Sequence, residues 1–219
     1  MHFWQRVGDK MLNQEELITS AYHEAGHVVI AWYYGRRILG AFVSQDKNKN
    51  GNCEIICLFG KFPDIEVHEL EREMDIIMAG VIAEEQLTGK KVTGTKWFGT
   101  DYPDAVEIAM DWALKTGKDF NNEYLIDQSI DVDGIKGCIF SGAFLDEFGG
   151  NVRNLMARSY IWRCVEAVAN ALLKHKELSG DEVSSIISNA WEEADDGRQE
   201  ELIESQSPDK GERPWGEWR

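Results

Sequence analysis

Between Ser20 and Gly35, apolar or small side chains recur at Ala21, Ala25, Val28, Val29 and Trp32, the spacing of one helix face. Gly35 stands where it can end that helix. This stretch constrains the fold more than any other. Whatever packs on it must also accommodate His23 and His27, which project from one side of the helix, one turn apart. Helical spacing returns further along. A helix is predicted over 64–88, carrying MDIIMAGVIAEEQL and closing at Gly89. Another begins near Asp101–Pro103 and carries AVEIAMDWAL, with the proline in its tolerated first turn. A long helix is predicted from Asn151, where Ile161, Val165, Val168 and Leu172 repeat at helical steps. Ser179 caps a last helix through VSSIISNAW, with Glu182 completing a capping box. Only residues 38–58 read as strands: ILGAFVS and NCEIICLF are the arms of a hairpin and DKNKNG its turn. Residues 117–150 are glycine-rich and without period, so an irregular course is expected there. The predicted fold is mainly α, with one small β-hairpin next to the helix of His23 and His27.

Residues 1–19 read as a lead-in, 20–190 as one domain and 191–219 as a solvated acidic tail, its residues after Trp191 including ten acidic and four basic side chains. With 43% hydrophobic residues the chain can bury a core. Its 39 acidic against 23 basic residues give a formal net charge of −16, which repels phosphate backbones and argues against a nucleic-acid partner. The longest uninterrupted apolar stretch, Ile76 to Ala83, is far short of a membrane span, and the first residues lack the apolar core of a secretory leader. No membrane partner and a cytoplasmic location are therefore expected. Cys53 and Cys57, roughly 13 Å apart if they share a strand, can share neither a disulfide nor a metal. With Cys138 and Cys164 they read as small apolar residues in a reducing compartment.

The chemistry lies in Ala21-Tyr22-His23-Glu24-Ala25-Gly26-His27. Histidines four apart on a helix can grip one zinc ion, and Glu24 is placed to act as general base on the attacking water. Gly26 and Ala25 leave room for close approach of another element. The remaining histidines, His2, His68 and His175, lie in polar surroundings and read as surface residues. A catalytic zinc needs a further protein ligand, for which Glu84, Glu85, Asp101 and Asp104 are candidates that spacing does not separate. The run Asp46-x-Asn48-x-Asn50-Gly51 matches half of a calcium loop, but Cys57 replaces the closing glutamate and a hairpin turn accounts for it. DVDG, from Asp131 to Gly134, reads as a turn on the same ground.

AYHEAGH resembles the zinc-binding helix of FtsH-type ATP-dependent metalloproteases. In the same order, AGVIAEEQLTG resembles that family's GGRAAEE-type helix, with Ala79 in place of the first glycine. GTDYPDAVEIA resembles its segment in which a ligand aspartate opens a helix, and the stretch around Leu173, Glu177, Leu178, Glu182 and Val183 resembles its closing helices. The resemblance spans residues 20–190 and implies a helical zinc-peptidase domain with one Zn2+ per chain. It implies His23 and His27 as ligands, Glu24 as catalytic base and Asp101 as third ligand, with the register set by Ala105, Glu107, Ile108 and Ala109. Asp104 is the alternative ligand, and Glu84 falls where a carboxylate would orient a histidine.

The family's ATPase module and membrane anchor have no counterpart here: Gly60-Lys61, Gly89-Lys90 and Gly117-Lys118 each lack the remainder of a phosphate-binding loop. The implied activity is a metallopeptidase acting on flexible peptides or unfolded protein, with a separate ATPase or further copies of this chain as candidate partners. The rival class is a non-catalytic or regulated peptide-binding module on a peptidase fold. A third reading has Trp215–Arg219 folded back into the cleft.

Overall fold

The structure is a computed structural model describing residues 12–44, 52–55, 65–91, 102–118, 125–132, 135–140 and 142–204, with backbone only for 52, 54, 102, 103, 125–147 and 195–204. Helix α1 (Gln14–Tyr33) starts six residues before the expected Ser20. The cause is local. Asn13 Oδ1 accepts from the Glu16 amide at 2.8 Å, and Glu16 Oε2 accepts from the Asn13 amide at 2.8 Å, a complete capping box. At the far end Gly35 takes φ +70, which glycine adopts without strain. The amides of Gly35 and Arg36 then reach the carbonyls of Trp32 and Ala31, closing the helix as a Schellman turn. From Glu24 to Ala31 every residue is buried, so this stretch of α1 is enclosed on all sides and forms the centre of the molecule.

Strands β1 (Ile38–Phe42) and β2 (Asn52–Ile55) form the expected hairpin, paired antiparallel with Ala41 opposite Cys53 and Phe42 opposite Asn52. A third strand, β5 (Glu177–Ser179), pairs with the other side of β1, giving the order β2-β1-β5. Its three residues, Glu177, Leu178 and Ser179, sit in the lead-in to the last helix and are too few for their alternation to mark a strand, so only the pairing reveals them. The turn at 45–51 and the arm beyond Ile55, Cys57 included, lie outside the described residues.

Helix α2 (Val67–Thr88) ends at Gly89 as predicted, with φ +67 and its amide on the Glu85 carbonyl. It runs antiparallel to α1, and the two backbones touch. A Cβ at Gly26 would stand 2.5 Å from the Ala79 carbonyl oxygen and 2.9 Å from Ala83 Cβ. Helix α3 (Tyr102–Thr116) lays Ala105, Ile108, Ala109, Trp112 and Ala113 on α2.

The described part of the 117–150 region is not irregular. It contains an antiparallel hairpin, β3 (Leu125–Val132) and β4 (Ile135–Phe140), and the first part of α4 (Gly142–Met156). The single long helix predicted from Asn151 is in fact two, α4 and α5 (Ser159–His175), broken at Ala157–Arg158 where no glycine or proline stands. The break serves packing: α4 lies on α2, whereas α5 lies on α1 and on α6 (Gly180–Glu204). The capping box at Ser179 and Glu182 is present, with Glu182 Oε2 accepting from the Ser179 amide at 2.8 Å. Helix α6 continues past the expected domain end at residue 190. Trp191 packs on Tyr160, Trp32 and Tyr33 with ring centroids 4.9, 5.6 and 6.4 Å away, and Ala194 is buried. Residues 205–219, including the Trp215–Arg219 end, lie outside the described residues. Among the described residues, the fold is mainly helical and no helix is long and apolar enough to cross a membrane.

Polar side chains lock α1 and α4 onto α2. Asp75, buried on α2, accepts at Oδ2 from the Tyr34 hydroxyl and from Asn151 Nδ2, both at 2.5 Å. Burial pushes its carboxyl up from 3.8 to about 6; the Tyr34 and Asn151 donors oppose this and the nearby Glu71 adds to it. Because the folded value lies above the unfolded one, the carboxyl contributes most below pH 3.8, and that contribution is lost as pH rises through about 6. Asp75→Asn keeps an acceptor in the same place without the charge. Its stability relative to wild type should therefore improve as pH rises from about 4 to 7, by on the order of 3 kcal/mol. Denaturant unfolding of both proteins across that range checks this, and a pH-independent difference would refute it.

Candidate metal centre

His23 and His27 occupy successive turns of α1, and α2 supplies a partner to each ring. Glu84 Oε1 lies 2.6 Å from His23 Nδ1, and the Ile76 carbonyl oxygen lies 2.7 Å from His27 Nδ1. A carbonyl only accepts, so Nδ1 of His27 carries its proton and donates. Nδ1 of His23 donates to the Glu84 carboxylate in the same way. In the neutral rings both Nε2 atoms are then bare acceptors. They nevertheless face each other at 3.0 Å, with the ring planes at 77°.

Two lone pairs that close repel unless a cation lies between them, either a shared proton or a metal ion. Two imidazole nitrogens on one tetrahedral zinc would stand about 3.3 Å apart, given Zn–N distances of about 2.0–2.1 Å. The pair is thus preset close to chelating distance. The backbone of α2 lies against the pair. A Cβ on Gly80 of α2 would come within 2.7 Å of His23 Nε2 and nearer still to His27 Nε2. The donor set, the tautomers and this cradle fit a divalent transition metal of zinc's type.

Glu24, next to His23 in the chain, is 6% exposed, and His27 is 5% exposed. The His23–Glu84 pair is more open, with side chains 16% and 27% exposed. Glu84 makes the contact that an orienting role requires. Glu85 turns away instead and meets Arg153 Nη2 on α4 at 3.2 Å. Asp101 lies outside the described residues, and Asp104 is exposed in the first turn of α3. The structure brings together His23 and His27, and among the described residues no group of three or more His, Cys, Asp or Glu side chains is arranged to hold a metal. His68 is a surface residue on Glu69, His175 is exposed, and His2 lies outside the described residues.

Two participants escaped the sequence reading. Ile76 acts through its carbonyl, which every residue possesses, so nothing in the sequence marks it. Gly80 had a signal: an interior helix glycine costs about 1 kcal/mol relative to alanine and calls for a reason. No protein-family model matches the chain, and no curated protein matches it.

Removing the Glu84 carboxylate should loosen the His23 ring without removing a ligand. Glu84→Ala is expected to weaken zinc affinity by roughly 10–100-fold while still binding about one ion at saturation. Competition against a chromophoric chelator measures this, and wild-type affinity in the variant would refute the orienting role.

Proposed function

We propose that this chain is a zinc-dependent metallopeptidase that hydrolyses peptide bonds in flexible peptides or unfolded proteins. The observation that carries the reading is the pair of His23 and His27 Nε2 atoms, 3.0 Å apart with both Nδ1 atoms engaged elsewhere and the buried Glu24 between them in the chain. The resemblance of the later segments, in order, to FtsH-type peptidase segments adds support. His23 and His27 would hold one zinc ion, with Asp101 as third ligand or Asp104 in its place. When bound, zinc supplies Lewis acidity that polarises the scissile carbonyl and offsets the charge developing on its oxygen.

The remaining work falls to the chain itself. Glu24 takes the proton of the attacking water and delivers it to the leaving amine, so that the C–N bond breaks without expelling an amide anion. Burial of Glu24 limits loss of that proton to bulk solvent. Glu84 and the Ile76 carbonyl hold the two rings so that both present Nε2 throughout. Strand β2 packs beside α1 and has β1 as its sole strand neighbour among the described residues, which suits an extended peptide added along its outer edge. Val43, just past β1, is buried in the core and takes no part in that edge, which belongs to β2.

Metal content and cleavage of unfolded casein, measured on wild type and Glu24→Gln, test the proposal. Both proteins should carry about one zinc per chain, and the variant should cleave at least about a hundredfold more slowly. Zinc in both with cleavage by neither would favour the binding-module reading, and equal cleavage by both would remove Glu24 as the base.

A further inference from the structure

We propose that Gly80 is the residue that lets His23 and His27 present their Nε2 atoms side by side to a metal ion, its missing side chain leaving room for the two ring ends. The inference rests on the metallopeptidase reading for the ion itself and adds a positioning residue that no ligand pattern identifies. A Cβ on Gly80 would lie 2.7 Å from His23 Nε2, 2.8 Å from His23 Cε1 and closest of all to His27 Nε2. An ion bound by both rings sits about 2.0–2.1 Å from each nitrogen. A methyl on Gly80 would therefore force the ring ends to move, and with them the nitrogens that would hold the ion.

The rings cannot both give way without cost, because each is tethered at Nδ1, one to Glu84 and one to the Ile76 carbonyl. The atoms a methyl would meet are nonetheless ring ends rather than backbone. In the metal-free protein the rings can turn aside and leave the helix pair in place. Gly26, in the same interface, differs. Its added Cβ would meet the Ala79 carbonyl oxygen at 2.5 Å and carbon at 2.9 Å, which nothing short of separating α1 from α2 relieves. One glycine therefore sets the helix spacing, and the other leaves room for the two ring ends.

Gly80→Ala and Gly26→Ala separate these roles. Zinc content, zinc affinity by chelator competition, and thermal unfolding with and without chelator are measured for wild type and both variants. Expected for Gly80→Ala is a metal-free unfolding midpoint within a few degrees of wild type, zinc affinity lowered by roughly a hundredfold or more, and no rise of the midpoint on adding zinc. Gly26→Ala should instead lower the metal-free midpoint itself. Wild-type zinc affinity in Gly80→Ala would overturn this inference and leave the peptidase reading standing. So would a metal-free Gly80→Ala destabilised as much as Gly26→Ala, because the glycine would then serve packing alone. A wild-type chain that binds no zinc would overturn both.

Discussion

Helices α1 and α2 pass each other with their backbones in contact, and the rest of the structure is arranged around that approach. Gly26 admits the Ala79 carbonyl, Ala83 stands opposite, and Gly80 lies against the two imidazoles. Side chains of ordinary size would hold helix axes about 8–10 Å apart. Glycine and alanine here let α2 come close enough for its own backbone to become part of the site. The carbonyl of Ile76 can orient His27 only because nothing larger separates the helices. The other elements then enclose α1: α5 and α6 pack on it, the β2-β1-β5 sheet lies beside it, and α3 and α4 cover α2.

Polar contacts fix the register in which the two helices meet. At one end Tyr34 and Asn151 converge on Asp75, and Arg36 joins Glu73 at 2.8 Å and Glu69 at 2.5 Å. At the other end Glu84 meets His23. A slip of α2 by one turn would break all of these and leave Asp75 and Glu73, both nearly inaccessible, without their partners. Uncompensated buried acids are among the costliest defects a core can carry, at about 3–5 kcal/mol each. The knot at Asp75 lies one residue before Ile76, so the contacts that hold the register also hold the carbonyl that sets the tautomer of His27.

Much of the helical framework was legible in advance because helix periodicity and capping are local. Gly35 and Gly89 end α1 and α2 as predicted, and the Ser179–Glu182 box opens α6. Even the early start of α1 has a written signature in Asn13 and Glu16, ahead of the apolar run. What failed was non-local. Strand β5 exists because β1 has a free side to pair with, and three residues cannot announce that. The β3–β4 hairpin arises in a stretch without period. The division of α4 from α5 follows from two helices burying faces against different neighbours, with no helix-breaking residue at the join.

The site divides along the same line. By itself the sequence determined that His23, Glu24 and His27 share a helix at chelating spacing, because residues one turn apart are neighbours whatever surrounds them. It also supplied the small residues that permit a close neighbour. Tertiary structure alone decided which nitrogen of each histidine is bare, since the partners that fix the tautomers lie 61 and 49 residues away in the chain. It alone decided that Gly80 faces the two rings. A glycine has no side chain to declare a role and a backbone carbonyl has no identity of its own, so what each contributes depends on what the fold brings against it.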